Sequence, residues 1–98
     1  MSEDLRFHPE ARVDFRQSAR WYWERSPQAA AHFRATVSQV VLAIAEAPER
    51  CAGYLYGTRR CVLRRFPFSI VYLDDPNVIT IVAIAHHKRR PGYWKSRL

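Results

Sequence analysis

The residues best suited to chemistry lie near the end of the chain, where the sequence reads His86-His87-Lys88-Arg89-Arg90 and then Pro91-Gly92-Tyr93-Trp94. Histidine can exchange a proton near neutral pH, and arginine makes forked contacts with phosphate and carboxylate groups. Two arginine pairs, Arg59-Arg60 and Arg64-Arg65, precede this cluster. Such residues could stabilise charge in a phosphoryl reaction, or they could bind an acidic partner without any reaction.

A run of short strands must position this cluster. The segment from Arg59 to Trp94 is rich in β-branched and aromatic residues, and turn signals divide it near Pro67 and across Asp74-Asp75-Pro76-Asn77. This pattern predicts a meander of antiparallel strands. Residues 54–56 are compatible with a further edge strand.

The first strand of the meander shows which way its side chains point. Alternation places Cys61 and Leu63 on one face and Arg60, Val62 and Arg64 on the other. One face of the sheet should therefore pack on helices. The other face should carry arginine and remain open to a partner.

Two helices are predicted before the strands, after a short first strand at Leu5–Phe7. Pro9 favours a helix start, and the first helix should run to about Arg25. Ser26-Pro27 is a second start signal, and the second helix should end near Glu46. The short connection predicts an antiparallel hairpin. Apolar residues at helical spacing define the two buried faces: Ala11, Phe15, Ala19, Tyr22 and Trp23, then Ala30, Phe33, Val37, Val40, Val41 and Ile44.

The predicted fold class is therefore α+β, with an N-terminal helical hairpin packed on one face of a small, mostly antiparallel β-sheet. Arg12, Arg16 and Arg20 fall four residues apart on another face of the first helix. That stripe could be solvated or could contact phosphates. Trp21 lies off the core face, where it either contacts a partner or is covered by the C-terminal tail.

Length and composition limit the function classes. The 98 residues suffice for one domain, 1–98. The start lacks the basic and apolar regions of a signal peptide. The apolar run Val78–Ala85 is far shorter than the roughly 20 residues of a membrane span, so we expect a cytoplasmic protein without a membrane partner. A net charge of +7 and a pI of about 10.1 favour nucleic acid, a nucleoprotein or an acidic protein segment as partner.

The cysteines and histidines predict neither a cofactor nor a metal site. Cys51 and Cys61 should be free thiols that fill space, because disulfides are rare in cytosolic chains. His86 and His87 are adjacent, and no Cys-x-x-Cys pair provides metal-ligand spacing.

The order of motifs resembles a known family. A helical hairpin is followed by Arg60-x-x-Leu63-x-x-Phe66-Pro67-Phe68-x-Ile70-x-Tyr72, and a last strand leads into His86-x-x-Arg89-x-Pro91-x-x-Trp94. This combination is similar to the ParE/RelE superfamily of bacterial toxins from type II toxin–antitoxin modules, and the resemblance covers essentially the whole chain. It implies a toxin neutralised by a cognate antitoxin that wraps the helices and the sheet, in a hetero-oligomer.

The resemblance also implies one of two targets. ParE-like toxins block DNA gyrase, whereas RelE-like toxins cut mRNA on the ribosome. The ending of this chain resembles the ParE side, so we expect a non-enzymatic gyrase inhibitor. The predicted antitoxin-binding residues are Arg12, Arg16, Arg20 and Trp21. The predicted target-binding residues are Arg60, Arg64, Arg65, Lys88, Arg89, Arg90, Tyr93, Trp94, Lys95 and Arg97.

The alternative is a ribosome-dependent mRNA endonuclease, which needs a base, a charge stabiliser and an acid. RelE-like nucleases carry a phosphate-binding arginine where this chain has Ser69, and the predicted strands contain no lysine. Both departures disfavour the nuclease. A histidine at a strand end more often hydrogen-bonds the backbone than it catalyses. The candidates for catalysis are Arg64, His86, His87, Arg89 and Tyr93.

Overall fold

The computed structural model describes residues 4–98, and its elements follow the predicted order. A short strand, two helices and four further strands form an α+β fold with both helices on one face of the sheet. Single 3₁₀ turns lie at Leu55–Gly57 and Lys95–Arg97. The elements are β1 (Asp4–Phe7), α1 (Pro9–Arg25), α2 (Pro27–Glu46), β2 (Ala52–Gly53), β3 (Arg59–Val62), β4 (Phe68–Asp75) and β5 (Val78–His86).

Local capping sets the helix boundaries. Pro9 and Pro27 occupy the first positions of the helices, where the proline ring is already in a helical conformation. The Ser26 hydroxyl accepts a hydrogen bond from the Ala29 backbone amide at 3.2 Å, as a helix cap does. The Ser26 amide in turn donates to the Tyr22 carbonyl at 2.7 Å. One residue thus ends α1 and begins α2, which confirms the predicted hairpin.

The core lies between the hairpin and the sheet. Phe33 on α2 is fully buried, as are Ile70 and Tyr72 on β4. The Phe33 and Phe68 rings pack with centroids 5.0 Å apart. The predicted buried faces are confirmed except at Trp23, which is 62% exposed. Trp23 lies three turns of about 3.6 residues beyond Arg12 and therefore projects from the arginine side of α1.

The sheet order is β1-β5-β4-β3-β2, with β1 parallel to β5 and all other pairs antiparallel. The pairing of β4 with β5 shifts register, since Val71 pairs with Ala83 and Tyr72 with Ile81. Val82 is the extra residue of this bulge, which reverses the facing of every later side chain on β5. The bulge therefore decides which histidine faces the helices.

The connector between α2 and β3 differs from the sequence prediction. The edge strand is β2, at residues 52–53, whereas residues 55–57 form a 3₁₀ turn in which Tyr56 has a φ of 59°. Cys51 and Cys61 are joined by a disulfide, so the prediction of two free thiols is wrong. Arg59 donates to the Cys51 carbonyl at 2.7 Å. The two Cα atoms lie 5.4 Å apart, a separation that a disulfide spans readily.

Reduction of this disulfide is expected to lower the free energy of unfolding by about 2–3 kcal/mol. The bond closes a loop with a sequence separation of 10, and its loss enlarges the unfolded ensemble. Denaturant unfolding with and without a dithiol reductant measures the effect. A Cys51→Ser, Cys61→Ser variant is the control, because its stability should not respond to reductant. Equal midpoints for the wild-type protein under both conditions would contradict this expectation.

No helix within residues 4–98 is long and apolar enough to cross a membrane.

Candidate functional site

The open face of the sheet holds a cleft of about 330 Å³. It lies on the side opposite the helices, between the ends of β3, β4 and β5 and the C-terminal tail. Three arginines and two histidines contribute to its lining, and no carboxylate of residues 4–98 does. The site is therefore a cationic cavity. Its lining residues are Tyr54, Arg60, Val62, Ser69, Val71, Ala85, His86, His87, Arg89, Arg90, Pro91, Tyr93 and Trp94.

A serine–histidine pair lies in the cleft. Ser69 on β4 is 2% exposed, and its Oγ lies 2.9 Å from Nε2 of His87. The His87 amide donates to the Pro67 carbonyl at 2.8 Å, which fixes the backbone at the end of β5. Ser69 pairs with Ala85 across the two strands. The bulge at Val82 brings Ala85 and His87 to this face, so the buried Ser69 hydroxyl contacts the His87 imidazole.

His86 occupies a different environment from His87. Its ring packs edge-on against Phe68 with centroids 4.9 Å apart, on the helix side of the sheet. Its Nδ1 accepts from the Lys88 amide at 3.0 Å. Burial lowers the pKa of His86, and the charges of Lys88 and His87 lower it further. The two adjacent imidazoles therefore have different partners, since His86 packs against Phe68 and His87 meets Ser69.

Two arginines of the cleft lie against aromatic rings. The Arg60 guanidinium is 4.2 Å from the centroid of Tyr54, and that of Arg89 is 3.9 Å from the centroid of Tyr93. A guanidinium stacked in this way keeps N–H groups free at its edge for forked contacts. Among residues 4–98, no carboxylate forms an ion pair with either cation.

A buried ion pair anchors the tail that closes one side of the cleft. Asp14 on α1 accepts two hydrogen bonds from Arg97, at 2.7 and 3.2 Å. It also accepts from the Ile84 amide at 3.1 Å and from the Tyr93 hydroxyl at 3.3 Å. Arg97 also donates to the Val82 carbonyl. The Arg97 guanidinium, predicted to bind the target, is therefore already paired inside the protein.

Trp94 is likewise part of the structure and not of the surface. It is 1% exposed, and its ring packs against Tyr54 and Tyr56 with centroids 6.0 and 5.9 Å away. Gly92 permits this contact with a φ of 79°, and a Cβ there would lie 2.9 Å from Tyr56. Trp94 thus forms part of the cleft wall, and its buried ring leaves almost no side-chain surface for the predicted target contact.

The remaining predicted target residues are divided in space. Arg60, Arg89, Arg90 and Tyr93 line the cleft. Lys95 is exposed above Tyr56, 4.8 Å from its centroid. Those that lie outside the cleft on exposed turns are Arg64, Arg65 and Lys88.

A second concave surface lies on the helical side. A groove of about 490 Å³ has an apolar floor from β1, α1 and α2, with Arg12 and Arg16 on one border. Arg12 lies over the ring of Phe7 at 5.1 Å, and Leu42 is 64% exposed. The groove therefore combines apolar surface with positive charge. It is lined by Phe7, Arg12, Phe15, Arg16, Val37, Ser38, Val41 and Leu42.

The four predicted antitoxin-binding residues do not form one surface. Arg20 is exposed and is not part of the groove lining. Trp21 is 50% exposed on another side of α1, where Arg25 stacks on it at 3.7 Å. Trp21 lines a separate depression near Pro67. The structure thus brings Arg12 and Arg16 together but leaves Trp21 apart.

The sequence identifies the family directly. The chain matches the model of the ParE toxin of the type II toxin–antitoxin system parDE over residues 5–91. It belongs to the ParE toxin family. A solved chain of the chromosomal ParDE TA system from P. aeruginosa has a similar fold, with a TM-score of 0.76 and 21% identity over 87% of this chain and 96% of that one. No curated protein matches this ParE toxin significantly.

The match to the ParE family disfavours the nuclease alternative for this ParE toxin. The matched range of residues includes Arg89 and Arg90 of the cleft. Two residues that organise the site escaped sequence reasoning. Asp14 follows Ala11 by three positions on the buried face of α1, and an acid at such a position signals a buried partner. Ser69 stands where RelE-like nucleases carry an arginine, and nothing in the sequence pairs it with His87.

Tyr93 of this ParE toxin is expected to lose its proton only near pH 12. Burial raises its pKa to about 12, and the negative charge of Asp14 adds to the effect. Because the folded value exceeds the ordinary 10, the stability from the neutral hydroxyl is complete below pH 10 and is lost as pH rises through about 12. Tyrosinate absorbance during a pH titration checks this. A Tyr93→Phe variant should lose the latest step of the curve, and an unchanged curve would contradict the assignment.

Proposed function

We propose that this ParE toxin is a single-domain cytoplasmic protein that inhibits DNA gyrase and is neutralised by a cognate antitoxin. The observation that carries the proposal is the separation of two surfaces. Exposed cations collect on the open face of the sheet, whereas the apolar groove lies on the opposite, helical side. One surface can therefore serve the target and the other the antitoxin.

The open face suits an inhibitor that binds and stays bound. Arg89 and Arg90 project from the turn that follows β5, and the anchored tail holds this turn in place. Arginine and tyrosine are frequent hot spots of protein interfaces. Catalysis by Tyr93 is disfavoured at neutral pH, because a pKa of about 12 makes its hydroxyl a poor base or acid there.

The helical groove suits an amphipathic segment of the antitoxin. A helix can bury its apolar ridge in such a groove, here on Val41 and the exposed Leu42. Acidic residues beside the ridge would face Arg12 and Arg16. The net charge of +7 also favours an acidic partner and speeds association.

A charge-matched pair of double variants tests the assignment. Arg89→Ser with Arg90→Ser and Arg12→Ser with Arg16→Ser each remove two positive charges from exposed positions. The first should weaken gyrase inhibition roughly tenfold or more and leave antitoxin binding intact. The second should show the reverse.

Supercoiling and DNA-cleavage assays with purified gyrase provide one readout, and antitoxin affinity provides the other. Wild-type protein without effect on gyrase would overturn the target assignment. Equal effects of both double variants on both readouts would overturn the separation of surfaces. Truncation of residues 93–98 is unsuitable, since it removes Trp94 and Arg97 from their buried contacts.

A further inference from the structure

The cleft on the open face has a feature that gyrase inhibition does not require. We propose that it binds a phosphate group, with Ser69 and His87 below the group and the guanidinium groups of Arg60 and Arg89 on either side. This inference goes beyond the proposed function, and it concerns the isolated toxin without gyrase or antitoxin.

The serine–histidine pair is suited to an anion. Ser69 lines the cleft although it is only 2% exposed, and its hydroxyl lies 2.9 Å from the His87 imidazole. A hydroxyl can donate one hydrogen bond and accept others at the same time. It can therefore accept from the imidazole N–H and donate its own hydrogen to a phosphate oxygen.

The two arginines approach from opposite flanks. Arg60 lies on β3 and Arg89 follows β5, while Ser69 lies on β4 between them. Arg60 pairs with Val71, two residues from Ser69 along β4, and Arg89 lies three residues beyond the end of β5. Because neighbouring strands are about 4.8 Å apart, both arginines extend toward the cleft from the two strands that adjoin β4, and both line it together with Ser69. Because both are stacked on tyrosine rings, little side-chain freedom remains to be lost on binding.

The charge of the cleft is uncompensated within the described chain. None of its lining residues among 4–98 is an aspartate or a glutamate. Asp14 accepts a hydrogen bond from the cleft residue Tyr93, but its charge is paired with Arg97. Cations without counter-charges in a concave site concentrate their field on an anion.

Binding is favoured over hydrolysis by this arrangement. A serine nucleophile needs a histidine that is itself oriented by a third group, and the described side-chain hydrogen bonds of residues 4–98 include none to Nδ1 of His87. The cleft volume of about 330 Å³ is at the small end of ligand sites of roughly 300–1,000 Å³. It fits a phosphate ester with one attached nucleoside, which could come from a free nucleotide or from a nucleic-acid backbone.

The test titrates the isolated toxin with adenosine monophosphate, with a short single-stranded DNA, with the matching RNA and with duplex DNA. Amide and arginine side-chain chemical shifts report binding to the nucleotide, and fluorescence anisotropy at two salt concentrations reports binding to the labelled strands. Saturable binding of the nucleotide, without binding of any of the strands, identifies a free nucleotide as the ligand. Binding of a strand without binding of the nucleotide identifies the backbone as the source.

Arg60→Ser and Arg64→Ser form the matched pair. Both residues are exposed and both changes remove one positive charge, but only Arg60 lines the cleft. Arg60→Ser should weaken binding about tenfold or more, as expected for loss of a charged hydrogen bond, whereas Arg64→Ser should change affinity less than about threefold. Equal losses would mean diffuse charge attraction and overturn the site.

Ser69→Ala and His87→Asn complete the test. His87 is exposed, so its replacement should leave the fold intact even if the buried Ser69→Ala variant does not fold. A loss of nucleotide or strand affinity of about tenfold supports the site. Unchanged affinity for His87→Asn, or no binding of any of the four ligands by the wild-type toxin, overturns it. Neither result depends on gyrase, so failure of the phosphate site would leave the proposed gyrase inhibition untouched.

Discussion

Replacement of Trp94 by alanine is expected to lower the free energy of unfolding by about 3–5 kcal/mol. The indole is 1% exposed and packs with the buried residues Val71, Val82 and Ala83 on the open face of the sheet. Its removal would leave a cavity beneath Tyr54 and would also withdraw support from one wall of the cleft. Denaturant unfolding followed by circular dichroism measures the change.

Trp23→Ala is the matched control for this experiment. It removes the same side chain from a position that is 62% exposed. Exposed positions away from special contacts usually change stability by less than about 0.5 kcal/mol. Similar destabilisation by both variants would mean that Trp94 contributes no more than a surface tryptophan, which would contradict the structural role of its burial.

Asp14→Asn is expected to cost about 3 kcal/mol of stability. The substitution preserves shape but leaves the Arg97 guanidinium without its counter-charge, and the two side chains are only 12% and 9% exposed. Loss of one partner from a buried pair is costly because the remaining charge is desolvated and unpaired. The same change should loosen residues 93–97, which hydrogen exchange of their amides can detect.

Asp74→Asn provides the comparison for Asp14→Asn. Asp74 lies 3.9 Å from Arg59 in an ion pair whose side chains are 34% and 25% exposed. Water screens such a pair, so its loss should cost at most about 1 kcal/mol. If the two asparagine variants unfold at the same denaturant concentration, the buried pair does not anchor the tail.

The fold was predictable to the extent that its signals are local. Pro9, Ser26 and Pro27 set the helix boundaries through contacts within one turn. Alternation along β3 correctly placed Cys61 inside and Arg60 outside, because successive side chains of a strand point to opposite faces. The helical hairpin, the strand meander and the basic open face could all be predicted from such local signals.

The candidate site was less predictable because it depends on contacts between distant residues. Arg89 and Arg97 look alike in the sequence, since both are arginines of a basic C-terminal segment. Only the proximity of Asp14, which pairs with Arg97, distinguishes them in the structure. The rarity of disulfides in cytosolic proteins does not indicate that the antiparallel pairing of β2 with β3 brings Cys51 and Cys61 together. The bulge at Val82 separates His86 from His87, and no residue pattern indicated it.

The parallel pairing of β1 with β5 has a consequence for synthesis of the chain. Asp4 pairs with Val78 and Phe7 with Ile81, so the first strand made must wait for the last one. Contacts between such distant residues slow folding, whereas the helical hairpin closes through near neighbours. During translation the hairpin can form early. The sheet and its cationic face are completed only after β5 has emerged, so the basic cleft forms later than the helical hairpin.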